Sequence, residues 1–445
     1  MSQRTDEVDQ AGLTEAAVEA ISKAKNEPAW LRQQRLAAFE WHKTIPAPSL
    51  RDEEWRRTDI RGLKLDAITP AAGAPRALGA VERLAPAVRD EIGATGQIGG
   101  LVVSEDGIAA HQSLIEDLAS RGVIFCDLDT AVREHTELVQ TYLGTGVPAD
   151  YSKFSALNAA TWTTGVFLYV PRRVELALPL QALGYLGTAG LSPVFRTLVV
   201  VEDGADAVLI DQWLGPTHEQ SAMALNVQEV FVGRGGRVRY VTLQEFGRHV
   251  WNFSVNRTLL GRDATASSLV IAVGGRFHKA NVESLLQGPG SSSEMLGVLF
   301  GDKHQFFDHH TLQDHQAPHT SSDLLYKGAL TDQARSVFAG MIHARKTAQK
   351  TDAIQTNRNL LLSDGSRADS IPNLEIEAND LRCTHAATIT PVDDDQMFYL
   401  RARGLTEPDA KRMIVEGFFE TVLERIPLPG IVERLRAVIS AKIGD

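Results

Sequence analysis

Cysteine is almost missing from this 445-residue chain: only Cys126 and Cys383 occur, far apart in sequence. Two such thiols make no disulfide framework and suit a reducing compartment. No stretch approaches the ~18 consecutive apolar residues of a membrane-spanning helix. The opening residues, MSQRTDEVDQ, carry acids and no apolar segment, which predicts that no secretory signal is present. A basic excess is also lacking, because 45 Lys plus Arg face 56 Asp plus Glu, a net charge of −11. Such a surface repels phosphate backbones, and Arg56-Arg57 and Arg172-Arg173 are too short to form a basic patch. The remaining composition, 43% hydrophobic and 23% charged, is that of a soluble globular protein long enough for more than one compact unit. The expectation is a soluble, cytoplasmic chain with neither a membrane nor a nucleic acid as partner.

Three regions follow from the patterning. Residues 1–160 read as helical and then mixed α/β. Leu13, Ala17, Val18 and Ile21 recur at helical spacing, Glu27-Pro28 breaks the pattern, and Ala29 to Trp41 resumes it. Gly100–Val103 and Val123–Phe125 look like strands, and Thr130–Leu143 like a helix. Residues 161–392 are a long series of short β-type runs. Val166–Val170, Thr197–Val201, Ala207–Ile210, Val227–Val232, Arg237–Leu243, Ser268–Val273 and Met295–Phe300 are examples, separated by turns such as Gly233-Arg234-Gly235-Gly236. The region is too long for one sandwich of about 100 residues. With no linker to divide it into two, a β-solenoid is the favoured architecture, although no strict short repeat is visible. Residues 393–445 return to helix. Thr406 is a plausible N-cap with Pro408 in the first turn, and Ile414, Phe418, Val422 and Ile426 make an apolar stripe that Val415, Phe419 and Leu423 widen. That stripe either packs on its own domain or seats in a partner.

Nucleotide and hydrolase motifs are absent: no Gly-x-x-x-x-Gly-Lys-Ser/Thr, no dinucleotide glycine spacing at Gly233–Gly236, no Gly-x-Ser-x-Gly and no His-Glu-x-x-His. The chain should carry no nucleotide site. Histidine is crowded instead, with His304, His309, His310, His315 and His319 in one short stretch. Imidazole is the commonest metal ligand, but adjacent His309 and His310 point to opposite faces of a strand. The plainer alternative is hydrogen-bonded histidines at turn corners. Cys383-Thr384-His385 is a second candidate, since residues two apart on a strand share a face about 7 Å apart and could hold one soft metal ion. A buried cysteine beside a satisfied histidine is its plainer reading. An iron–sulfur cluster ordinarily takes four cysteine-type ligands, so with two distant cysteines another chain must complete any such site.

From Tyr326 onward a longer pattern emerges. It runs through Tyr326-Lys327-Gly328-Ala329-Leu330, Ser336–Gly340, Ala348–Ala353, Gln355–Leu362, Pro372-Asn373-Leu374-Glu375-Ile376, Arg382–Thr388, Gln396–Leu400 and Arg403-Gly404. This ordered run resembles the SufB/SufD family of iron–sulfur cluster assembly proteins, densely over residues 304–425 and again from Trp162 to Gln181. The Cys-x-His form at Cys383 and His385 resembles the D subunit; the B subunit typically has an acidic-His-acidic trio there and more cysteines. Arg382 and Ala386 depart mildly from the Lys and Gly that the D subunit more often has.

The resemblance implies a right-handed parallel β-helix flanked by helical regions, in agreement with the solenoid expected from the strand pattern. It implies a non-catalytic scaffold subunit that pairs with a SufB-like subunit through the β-helices, forming a homodimer when isolated. A SufC-like ATPase would dock on the C-terminal helices, for which Ile414, Phe418 and Val422 are the candidate contacts. A transient iron–sulfur cluster would be shared with the partner, with His385 as imidazole ligand and Cys383 as a secondary one. The alternatives are a β-helix carbohydrate-active enzyme, which needs a carboxylate or basic constellation in an open groove, a B-type scaffold, and a mononuclear metal protein built on the residues 304–319 histidines.

Overall fold

A computed structural model describes residues 13–63, 69–70, 77–94 and 96–444. The acidic residues 1–10 lie outside them. The central strands stack into two parallel sheets that face each other as a solenoid of eight rungs. The first sheet runs from Thr164–Val170 through Val194–Val201, Ala222–Val232, Val250–Leu260, Phe277–Leu286, Phe306–His315 and Arg335–Ala344 to Arg367–Ile376. The second runs from Leu180–Tyr185 through Asp206–Leu214, Arg237–Glu245, Thr265–Ala272, Ser292–Gly301, Ser321–Leu330 and Thr351–Leu361 to Leu381–Pro391. Antiparallel strands cap the N-terminal end of both sheets: Ile124–Asp127 pairs with Thr164–Val170, and Ile108–Leu114 pairs with Gly100–Glu105 beside Leu180–Tyr185.

Alternation decides which residues enter the lumen between the sheets. Met295, Leu299, Leu324, Tyr326, Val270 and Ala272 from the second sheet meet Ala280, Val282, Phe307 and Phe338 from the first in one buried cluster. The rungs have unequal lengths. Trp251 pairs with Phe277, Phe277 with Phe306, and Arg335 with Arg367, so successive register partners are 26, 29 and 32 residues apart. A solenoid with variable corners leaves no fixed period in the sequence, which is why no strict repeat could be read there.

One close approach needs glycine. Gly165 pairs with Arg196 on the neighbouring strand, and a Cβ at position 165 would lie 1.9 Å from the Arg196 carbonyl oxygen. Backbone cannot step aside as a flexible side chain can. Gly165→Ala should therefore cost about 2–3 kcal/mol of stability, read as a lower urea midpoint at unchanged denaturant slope.

The N-terminal helices Glu15–Ala24 and Ala29–Thr44 pack with Lys153–Thr161 against the first sheet. Arg35, fully buried, joins them: it donates to Glu27 through Nε and Nη2, and its guanidinium lies over the Trp162 ring at 4.3 Å. The single helix expected over Thr130–Leu143 is instead two, Leu128–Glu134 and Thr136–Tyr142. His135 between them leaves helical geometry at φ −129°, and the bend lets Val132 and Val139 both bury.

At the other end, helices Asp394–Ala402, Glu407–Leu423 and Pro429–Gly444 follow the last strand. Thr406 caps the second of them by accepting from the Asp409 amide. Val415, Phe419, Val422, Leu423, Ile431, Leu435 and Ile439 bury against Leu243, Leu269, Ile271, Leu296 and Val298 on the outer face of the second sheet. Arg425 ties this layer to Glu294 and Asp323, and Lys442 to Asp302 and the Phe300 carbonyl. Among the described residues no helix is long and apolar enough to cross a membrane.

Candidate functional site: the open last rung

Arg367–Ile376 and Leu381–Pro391 end their sheets, so each has a neighbour on one side only. Leu381–Pro391 is exposed almost throughout. Its register with Thr351–Leu361 fixes which way its side chains point. Ala353, Gln355, Asn357 and Asn359 are buried in the lumen, while Ile354 and Arg358 between them are exposed. Cys383 pairs with Ala353 and His385 with Gln355. The thiol and the imidazole therefore share the lumen face at the open end, as the two-residue spacing requires. Arg382 and Thr384 face outward, where Arg382 pairs with Asp352.

The donors differ in exposure. Cys383 is half-buried, and burial, reinforced by the Asp352 carboxylate, pushes its thiol above the ordinary value. It is a neutral thiol at neutral pH and becomes a ligand only when a metal displaces the proton. His385 is exposed at the rim. Beneath it Gln355 is fully buried, and neither its oxygen nor its nitrogen has a hydrogen-bond partner. Next along the lumen, Asn359 donates to Asn357, whose own amide donates to the Tyr326 carbonyl. One exposed imidazole, one thiol and an unsatisfied amide can supply part of a metal shell and cannot enclose an ion. Gln355 lies within the motif run that carries the family resemblance, yet nothing in its own sequence context marks it; only the register places it under His385.

The crowded histidines do not converge. His304 and His319 are exposed at turns on different corners, His319 with a left-handed φ of 59°. His310 lies on the outer face, its Nε2 3.0 Å from Asp308 Oδ1. His309 and His315 enter the lumen. The expectation of hydrogen-bonded corner histidines fits neither of these two. His315 is bonded to Thr320 and Ser322 but sits inside the solenoid, and His309 has no hydrogen bond at either nitrogen. It stands edge-on to His278, 5.0 Å between ring centres.

The stripe on helix Glu407–Leu423 divides. Val422 is fully buried against the chain's own second sheet, so it cannot contact a partner, which corrects its place in the expected docking surface. Ile414 and Phe418 are only partly buried and line an open groove of about 840 Å³ with Leu360, Tyr399, Leu400 and Met413. Beside it Phe398 is 74% exposed and Tyr399 57%, an apolar patch that the helical stripe did not include. Lys327 lies over the Phe418 ring at 4.6 Å, and burial lowers its ammonium to about 8.

Comparison with known proteins adds a relationship to this geometry. Residues 186–418 match the family described as SUF system FeS cluster assembly, SufBD core domain, and residues 100–182 match the SufBD protein N-terminal region. An iron-sulfur cluster assembly SufBD family protein of Staphylococcus saprophyticus is 30% identical over 435 residues, covering 96% of this chain and 92% of the relative. Similar proteins of Staphylococcus haemolyticus and Staphylococcus epidermidis are 29% identical over the same shares.

Proposed function

Because the chain belongs to the SufBD family of iron–sulfur cluster assembly proteins, we propose that it is the SufD-like subunit of a cytoplasmic scaffold complex. In that complex it pairs with a SufB-like subunit and two-sidedly presents a cluster site and an ATPase site. The observation that carries this reading is the open last rung. Two strands with unsatisfied edges, Arg367–Ile376 and Leu381–Pro391, end beside a lumen-facing thiol and imidazole. An exposed sheet edge is a template for a strand from another chain, and Ile354, Leu374, Ile376 and Ile389, all exposed here, add apolar area to such a junction.

A nascent cluster is the cargo of this junction. His385 supplies an imidazole, with Cys383 as the second donor from this chain, and the partner supplies the remaining thiolate and acidic ligands. With too few donors of its own, the chain holds the cluster only while paired, which suits a site that must later release it. The groove around Ile414 and Phe418, extended by Phe398, Tyr399 and Met413, is where a SufC-like ATPase docks. ATP turnover then belongs to that partner, and this chain transmits the resulting movement to the junction. The acidic-His-acidic trio of a B-type scaffold is missing where Cys383-Thr384-His385 stands, which favours the D-type role.

Co-expression with SufB-like and SufC-like proteins tests the proposal. The expected product is a three-component complex seen by native mass, whereas the chain purified alone forms a homodimer through the same edge. A chain that joins neither partner overturns the assembly role.

A further inference from the structure

A second donor cluster lies outside the lumen, on the other sheet. His343 and Glu375 are direct register partners on the last two strands of the first sheet, and Glu377 follows just beyond the strand end. One nitrogen of His343 and one oxygen of each glutamate lie within 4.8 Å of one another, the only such three-residue group of His, Cys, Asp or Glu among the described residues. On this sheet Phe338, Gly340, Ile342 and Ala344 are the lumen positions. His343 and Glu375 alternate with them and point outward, away from the side that Cys383 and His385 share.

The surroundings of the imidazole argue for a cation. Asp314, the register partner of His343 on its other side, is buried and places Oδ1 3.7 Å from Nδ1. That distance is too long for a hydrogen bond, so Asp314 acts on the imidazole as a nearby negative charge. Nε2 lies 3.2 Å from Glu377 Oε1, close enough to share either a proton or an ion with it. Arg345 is the cation at hand, and it is committed to Asp314 through two hydrogen bonds of 2.9 and 2.8 Å. Three carboxylates thus share one guanidinium.

We propose that His343, Glu375 and Glu377 bind one divalent first-row transition-metal ion, such as Fe(II), Co(II) or Mn(II), with water in the remaining positions. An imidazole with two carboxylates is the donor set these ions favour. The absence of a thiol disfavours soft Cu(I), and two carboxylates with a nitrogen fall short of the six to eight oxygens that Ca²⁺ takes. The exposure of both glutamates makes the ion exchangeable. This site rests on its own donors and stands or falls apart from the cluster site at the last rung.

The test uses the full chain, stripped with chelator and carrying Cys383→Ala and His385→Ala so that the lumen donors are gone. Co(II) is titrated by its visible absorption and Mn(II) by loss of its free-ion paramagnetic resonance signal. One saturable site is expected. Adding Glu375→Gln and Glu377→Gln should weaken it at least about tenfold. Absence of saturable binding overturns the proposal, and so does equal affinity with and without the two glutamates. A Nε2 proton shared with Glu377, the simpler way to balance the pair, corresponds to the first of these negative results.

Discussion

Glu229→Ala should destabilise the fold by about 3–5 kcal/mol, the range for stripping one partner from a buried ion pair. Glu229 is fully buried on Ala222–Val232, and its ion-pair partner Arg196, also buried, lies diagonally across on the preceding strand, where Arg196 is in register with Val227 and Glu229 with Leu198. Its Oε2 accepts from Arg196 Nε at 3.0 Å and Nη2 at 2.7 Å. The same carboxylate also accepts from the backbone amides of Gly144, Gly146 and Val147, where the N-terminal region crosses onto the solenoid. Alanine leaves a buried guanidinium uncompensated and three amides without acceptors. Urea unfolding reads the loss as a lower midpoint. The companion Arg196→Met with Glu229→Leu should recover much of it, because well-packed apolar groups tolerate the site better than a lone charge. A Glu229→Ala loss under about 1 kcal/mol, the level of a surface pair, contradicts this role.

Acid should unfold the protein steeply, and the cause lies in the lumen. Burial holds His309 down to about 3, His315 to about 4, and His278 well below its ordinary value with the neighbouring His309 adding to the effect. All three are neutral in the folded state, whereas the unfolded chain titrates near 6.5. Their stabilising contribution is complete above pH 6.5 and is lost progressively as pH falls toward the folded values, because the unfolded state binds the extra protons. Asp211 works in the opposite sense. Burial raises its carboxyl to about 6, despite hydrogen bonds from Tyr240 and Thr197, so the folded state takes up one proton first. Across these four groups the net difference of about two protons contributes a slope of about 3 kcal/mol per pH unit near pH 5, and His249, held down to about 4 by burial, adds to it in the same direction. Stability measured by urea at a series of pH values checks it. His309→Leu should flatten the slope by about 1.4 kcal/mol per pH unit, one proton's worth, and an unchanged slope removes His309 from the account.

Much of this architecture is legible before any coordinates. The helix break at Pro28, the Thr406 cap and the strands from Val166 to Phe300 follow from local pattern, and each occurs where that pattern places it or within a few residues. Pairing is less legible, because parallel rungs join residues 26 to 32 apart and the corners vary. The histidine crowd shows the same limit: spacing in sequence predicts opposite faces for His309 and His310, but only the rungs above and below decide that one face is lumen and the other surface. Val422 is hidden for a related reason. Ile414, Phe418 and Val422 lie on one helical stripe, and a stripe does not say how far along it the chain's own sheet reaches. Gln355 and the group of His343, Glu375 and Glu377 are assembled across strands and have no local signature.

The central claim is that the lumen-facing imidazole at the open edge is this chain's share of a cluster site. Iron and sulfide content of the anaerobically reconstituted complex, with wild-type chain and with His385→Ala, tests it directly. An intact complex of unchanged mass that loses its cluster when His385 is replaced is the expected result. A mutant complex that assembles and keeps a full complement of iron and sulfide contradicts it and moves the site away from the last rung.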